Sequence, residues 1–144
     1  MSSPLRKMFQ TDTDVEREGL WLEYAEGLEI KIARAGGSNK RFAKVMARLA
    51  KPHRRAIQTE VIDEGILREM FIKAYSQAVI LDWKGVTKDA MTGDDADAEE
   101  VLAFNLENCM GVMRALPELF ADVMKAADNI TLFRSEIMEE DSKN

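Results

Sequence analysis

The only histidine and the only cysteine of this 144-residue sequence are its strongest candidates for a catalytic base and a nucleophile. His53 would have to serve as the base in any Ser/His/Asp or Cys/His arrangement. It lies within residues 51–55, beside the positively charged Lys51, Arg54 and Arg55. Cys109 has helical spacing with Met110 and Met113, which is typical of a buried apolar position. We therefore predict a surface histidine at a helix start and a core cysteine, neither with a catalytic role.

Acidic side chains are concentrated in a stretch that could attract divalent cations. They are Asp94, Asp95, Asp97, Glu99 and Glu100. Their order lacks the glycine placement and the terminal glutamate spacing of a calcium loop. The sequence also has no Cys/His cluster, no GxxxxGK[ST] and no GxGxxG. We predict a solvated acidic loop in a protein that is not an enzyme and has no catalytic residues, no metal and no cofactor.

Positive charge is concentrated in residues 30–59, which hold nine Lys/Arg and no acid, although the chain has a net charge of −6. Six of these side chains are candidate partner-binding residues: Lys40, Arg41, Lys44, Arg48, Arg54 and Arg55. They could neutralise phosphates and give salt-dependent binding to nucleic acid. The negative overall charge and the single interleaved aromatic residue, Phe42, weigh against nucleic acid. A solvated face, or one that meets an acidic partner, is the competing hypothesis.

Apolar residues with a period of two predict a β-hairpin over 18–34. Leu20, Leu22 and Tyr24 share one face of the first strand, and the second strand presents its own apolar face. A Gly-containing turn at 25–27 joins the strands. Trp21 then points to the opposite side of the hairpin. We interpret Trp21 either as an exposed anchor for a partner or as a contact between elements.

Apolar residues at helical spacing follow the hairpin. Residues 40–50 form a basic amphipathic helix, and a wide apolar stripe predicts a long central helix over about 59–83. The predicted fold class is mainly α (α+β), with an N-terminal β-hairpin packed on a bundle of about four to five helices. The single domain has six predicted parts. They are a flexible N-terminus (1–15), the hairpin (18–34), the basic and central helices (39–83), an acidic loop (87–104), C-terminal helices (105–138) and a tail (139–144).

A short amphipathic strip near the C-terminus is a further candidate for contact with a partner. Its apolar residues are Ile130, Phe133 and Ile137. Such a strip can dock either on the parent domain or on a partner, in the way that an amphipathic helix lies in a groove.

Three features of the sequence indicate the compartment. A lone cysteine suits a reducing cytosol, and no apolar run approaches the ~20 residues that span a bilayer. The N-terminus lacks the apolar core of a secretory signal. We therefore expect a soluble cytoplasmic protein with no membrane contact.

The order of several short motifs resembles that of the tail assembly chaperones of long-tailed bacteriophages or prophages. The similarity extends from about residue 16 to 133. The most characteristic stretch is 79–86, Val-Ile-Leu-Asp-Trp-Lys-Gly-Val. Other elements are the hairpin end at 31–37, the short basic helix with Lys51-Pro52, Phe104-Asn105, the 116–119 stretch Leu-Pro-Glu-Leu, Ala127-Asp128-Asn129 and Phe133. One departure is the acidic, proline-free segment 87–103, where the family often has a shorter Gly/Pro-containing link.

The resemblance implies a non-enzymatic assembly factor in the host cytoplasm. Such chaperones bind and solubilise the tape measure protein, help to recruit tail tube subunits, and are absent from the mature virion. Nine methionines would supply adaptable apolar surface for such a client wherever they are exposed. The alternative is that most of them, Met70, Met110 and Met113 in particular, are core residues. We also expect self-association between the basic 30–59 region of one copy and the acidic 89–144 region of another. The alternatives are a small nucleic-acid-binding regulator that uses 40–55, and a structural tail or connector protein.

Overall fold

Eight α-helices and one three-stranded sheet make up the described part of the protein, residues 3–134 of a computed structural model. The strands are β1 (Leu20–Ala25), β2 (Leu28–Ile32) and β3 (Ile80–Lys84). The helices are α1 (Pro4–Phe9), α2 (Thr13–Glu18), α3 (Lys40–Ala50), α4 (Arg54–Gln58), α5 (Glu64–Ala78), α6 (Asp89–Thr92), α7 (Leu106–Ala115) and α8 (Pro117–Ala127). Short 3-10 helices cover Lys51–His53, Asp95–Asp97 and Ile130–Phe133.

The third strand corrects the fold class predicted from the sequence. A mainly α bundle carrying a two-stranded hairpin is wrong, because β3 pairs antiparallel with β2 and makes a sheet of order β1-β2-β3. The central helix covers Glu64–Ala78, so it begins later and ends earlier than the predicted span of about 59–83. Residues 79–83 are rich in β-branched and aromatic side chains, which suit a strand. As a strand they form hydrogen bonds with the backbone N–H and C=O groups along the edge of β2, which would otherwise be unpaired.

The inner face of the sheet is apolar because successive side chains on a strand point to opposite faces. Two rows of side chains cross this face, Leu22–Ile30–Trp83 and Leu20–Ile32–Ile80. They form one core cluster with side chains of α5, α7 and α8, including Ile72, Val112 and Val123. The sheet is therefore held against the helices by the same residues that give the hairpin its alternation.

The starts of the three core helices are set by local chemistry. The Asp63 carboxylate accepts hydrogen bonds from the first turn of α5, and the Asn105 side chain caps α7 by accepting from Asn108 N at 2.8 Å. Pro117 occupies the first position of α8, where the missing N–H costs no helical hydrogen bond. In three dimensions α3 packs on α5, α5 packs on α7, and α7 packs on α6 and α8. The helix α5 is therefore central, with α3 and α7 as its neighbours.

Two segments that the sequence left without structure contain helices. In the region expected to be a flexible N-terminus, α1 lies at Pro4–Phe9 and α2 begins at Thr13. The region expected to be an acidic loop contains α6 and the 3-10 turn Asp95–Asp97. Its ends are joined by backbone hydrogen bonds, from Lys88 N to Glu100 O at 2.8 Å and from Leu102 N to Val86 O at 2.9 Å. The acidic segment is therefore fastened to the domain at both ends.

Candidate partner-binding surfaces

An open apolar groove lies where the hairpin, the turn after β3 and the α7–α8 junction meet. Its volume is about 350 Å³, and its walls include Leu28, Val86, Ala90, Leu116 and Leu119. Leu116 remains 40% exposed, although its neighbours in the groove are apolar. We call this feature the apolar groove. Its chemistry suits the apolar side of another chain, because burial of Leu116 and its neighbours would remove apolar surface from water.

The turn after Trp83 forms one wall of the apolar groove, through Gly85, Val86 and Thr87. The indole of Trp83 donates from Nε1 to the carbonyl of Leu102 at 2.8 Å and packs edge-on against Phe104. Gly85 has φ +79°, and a Cβ there would lie 2.1 Å from the carbonyl oxygen of Gly27. Only glycine lets the hairpin turn approach this closely. The turn of the hairpin and the acidic segment are thereby held on the two sides of the groove.

The rim of the apolar groove is polar and negatively charged. Tyr24 Oη donates to Asp122 Oδ2 at 2.6 Å, which ties β1 to α8. Burial, with the neighbouring Asp122 carboxylate, raises the pKa of Tyr24 well above its ordinary value, so the phenol stays a donor. On the opposite side the hydroxyl of Thr87 donates to Asp89. The polar groups at the edge of the groove are therefore held in hydrogen bonds with one another.

The basic residues singled out from the sequence lie together on an exposed surface. All six side chains, Lys40, Arg41, Lys44, Arg48, Arg54 and Arg55, are exposed, as is Lys51. We call these seven the basic face. Helix α3 turns its other side, with Val45, toward Ala74 and Ala78 of α5. Among residues 3–134, no member of the basic face forms an ion pair, and Arg48 donates to Gln77 at 2.7 Å.

Trp21 lies on the outer face of the sheet, away from the core. Lys31 is its cross-strand partner, and the ammonium of Lys84 lies 4.2 Å from the centroid of the indole. The ring is half-buried in this position. A lysine over an aromatic ring gains a cation–π attraction, so Trp21 contacts β3 as well as solvent. The structure thus shows the inter-element contact and leaves part of the ring accessible.

The C-terminal strip separates into buried and half-buried parts. Phe133 is fully buried in the main core, and its carbonyl accepts a hydrogen bond from Asp12 N at 2.7 Å. It therefore docks on the parent domain, one of the two alternatives, and offers no surface to a partner. Ile130 is half-buried. Ile137 lies outside the described residues.

Cys109 is fully buried among core side chains, and burial raises its pKa to about 11. We expect the native protein to show no rapid reaction with a thiol reagent such as DTNB, because the reactive thiolate is absent and the sulfur is covered. Denaturation in urea should release one reactive thiol per chain. Absorbance of the released thionitrobenzoate measures both states. A full equivalent released at once in native buffer would contradict this placement.

The other residues considered for chemistry are placed apart. His53 is half-buried at the end of the 3-10 turn between α3 and α4. Within the described range, no group of three or more His, Cys, Asp or Glu side chains is arranged to hold a metal ion. Over the same residues, each helix is too short or too polar to cross a bilayer.

The apolar groove was not found from the sequence, because its residues come from three separate segments. Leu116 and Leu119 flank a helix start, Leu28 follows the hairpin turn, and Val86 follows β3. In the pattern of its own helix, strand or turn, each of them looks like an ordinary core residue. One signal was present: Gly85 and Pro117 break the chain at the two places where the groove opens.

Comparison with known proteins places the chain in one family. Residues 37–144 match the family described as YdaY prophage protein, and the chain belongs to that family. It is therefore a phage- or prophage-derived protein. The matched region includes the basic face, β3 and the α7–α8 junction, and begins after the hairpin. No curated protein and no solved structure matches the chain.

Proposed function

We propose that this protein is a tail assembly chaperone that binds and solubilises the tape measure protein in the host cytoplasm. It would act without catalysis, help to recruit tail tube subunits, and leave before the virion is complete. The prophage family and the resemblance of residues 79–86 support this proposal. The observation that carries it is the apolar groove, which exposes Leu116 at a junction of well-packed elements.

The groove suits a client that is helical and apolar along one side. Its volume of about 350 Å³ lies at the lower end of the ~300–1,000 Å³ usual for binding pockets. That space accommodates a few side chains, such as those repeating at i, i+3 and i+4 on an amphipathic helix. Asp89 in the groove lining, and Asp122 bonded to the lining residue Tyr24, favour basic residues beside the apolar stripe. An aggregation-prone helical protein presents such stripes in series.

The groove is preformed, which reduces the entropic cost of binding. Its walls are fixed by the Trp83–Leu102 hydrogen bond, the close approach of Gly85 to Gly27 and the Tyr24–Asp122 hydrogen bond. A rigid site loses less conformational freedom when a partner docks. The adaptable component is methionine: Met91 lies against Gly111 beside the groove residue Ala90.

Leu116→Asp is expected to abolish most of the client binding, since it places a charge in the apolar wall without removing a buried side chain. The experiment is co-expression with the tape measure protein of the same prophage, with the soluble fraction of the client measured after centrifugation. The wild-type chain should keep the client soluble, and the variant should bind it at least about tenfold more weakly.

Leu106→Asp is the matched control. Leu106 is 44% exposed, close to Leu116, but lies at the start of α7 outside the groove. It should behave as the wild type. A wild-type chain that leaves the tape measure protein insoluble contradicts the proposed function, and equal client binding by the two variants contradicts the role of the groove.

A further inference from the structure

Opposite charges are held on different sides of the molecule. The basic face lies on α3 and α4 and the turn between them. The acidic segment, defined here as residues 89–107, contains seven acids and no Lys or Arg. Helix α3 packs on α5, α5 on α7, and α7 on α6, which begins the acidic segment. Two helices therefore separate the two charged regions, and the basic face of one copy is not placed to neutralise its own acidic segment.

The basic face has the properties of an interface without its partner. Its seven cations are exposed, and over residues 3–134 none is paired with a carboxylate. Lys40, Lys44 and Arg48 recur at every fourth residue, so they form a row along one side of α3. Cations in a row repel one another, and a surface of opposite charge relieves this repulsion.

The acidic segment offers such a surface in a fixed conformation. Asp94 caps the short 3-10 turn by accepting from Ala96 N at 2.9 Å, and Thr92 donates to Asp97 at 2.7 Å. One basic side chain, Lys88, lies 3.5 Å from Glu100. Asp95 and Glu99 remain exposed. The carboxylates are thus presented on an ordered scaffold, which lowers the entropic cost of pairing.

We propose that copies of this chain associate head to tail, with the basic face of one copy against the acidic segment of the next. The two surfaces are different, so a pair of copies still has one free basic face and one free acidic segment. Such a heterologous interface extends into an open array unless its rotation closes a ring. This inference goes beyond the proposed function and does not depend on it, because it concerns the chain alone.

Sedimentation velocity of the purified chain tests the array. At ~20 mM salt the weight-average sedimentation coefficient should rise with protein concentration, and at ~500 mM salt it should stay at the monomer value, because screening shortens the reach of surface charges. The first variant carries Lys40→Glu and Lys44→Glu, and the second carries Asp95→Lys and Glu99→Lys. Each should self-associate at least about tenfold more weakly than the wild type.

Mixing the two variants separates specific pairing from net charge. Each variant alone places like charges opposite each other, whereas the mixture restores complementary surfaces and should regain the salt-sensitive association. A control with Glu23→Lys and Glu26→Lys at the exposed hairpin end changes net charge as much as the second variant does and should associate like the wild type.

Three outcomes would overturn the proposal. The first is a wild-type chain that is monomeric at every concentration in low salt. The second is a mixture of the two variants that stays monomeric. The third is a basic face that binds duplex DNA in low salt while the chain alone stays monomeric, which would assign this surface to nucleic acid.

Discussion

Glu16→Ala is expected to lower the free energy of unfolding by about 3 kcal/mol, because it leaves the half-buried guanidinium of Arg34 without its counter-ion. Glu16 is 1% exposed and lies on α2, where its carboxylate pairs with Arg34 just after β2. The same carboxylate accepts from Ser38 N at 3.4 Å. The pair therefore fastens α2 to the segment that leads from β2 into the basic face. Urea unfolding followed by circular dichroism measures the loss.

Asp14→Ala is the matched control on the same helix. Asp14 pairs with Arg17 at 2.6 Å, but the two side chains are 70% and 56% exposed. An exposed pair contributes about 0–1 kcal/mol, so this variant should unfold almost as the wild type does. Equal losses from the two variants would show that Glu16 makes no special contribution.

The stabilisation by Glu16 should depend on pH in a defined direction. Burial by itself would raise the pKa of Glu16, but the hydrogen bond and the charge of Arg34 hold it below the ordinary value of 4.5. A lowered carboxyl pKa gives stability that is present above the ordinary value and is lost as pH falls through the folded-state value. The difference in unfolding free energy between wild type and Glu16→Gln should therefore shrink below about pH 4.5.

Gly85→Ala is expected to cost more than about 2 kcal/mol of stability and to disturb the apolar groove. Gly85 has φ +79°, which is strained for other residues, and its added Cβ would lie 2.1 Å from the backbone oxygen of Gly27. Backbone atoms cannot rotate away as a side chain can, so the hairpin turn must move away from β3. Thermal unfolding measures the loss of stability. The affinity for the tape measure protein shows whether the apolar groove is disturbed.

Gly93→Ala isolates the contribution of φ. Gly93 has φ +72°, nearly that of Gly85, but nothing lies within 4 Å of a Cβ built there. Its cost should be about 1 kcal/mol, the low end of the strain range for such a backbone. If Gly85→Ala proves no more costly than Gly93→Ala, the close approach to Gly27 is not holding the hairpin in place.

Short-range sequence patterns correctly predicted the hairpin and helix α3. The alternation of Leu20 and Leu22 reflects the pleat of a strand, and the hairpin is present with Leu20 opposite Ile32. Helix α3 covers Lys40–Ala50, where the apolar spacing placed it. In each case the periodicity and the chain breaks lie within a dozen residues, so no distant partner is needed to decide the structure.

The features that the sequence did not predict depend on contacts between residues that are far apart in the chain. Residues 80–84 continue the helical stripe through Leu81, yet they form a strand because β2, nearly fifty residues earlier, offers an edge. The Glu16–Arg34 pair and the apolar groove are of the same kind, since each joins segments from different elements. The basic residues were found because they lie close together in the sequence, within residues 40–55. The groove was not found, because its residues are far apart in the sequence.

Site-specific photo-crosslinking tests the central claim, that the apolar groove binds the tape measure protein. Benzoylphenylalanine is placed at Leu116 in the groove or at Val61 outside it, and the chain is irradiated together with the client. Val61 is 74% exposed and Leu116 is 40% exposed, so exposure alone favours Val61. We predict a covalent adduct with the tape measure protein from position 116 and none from position 61. Adducts from position 61 alone, or equally from both, would contradict the account.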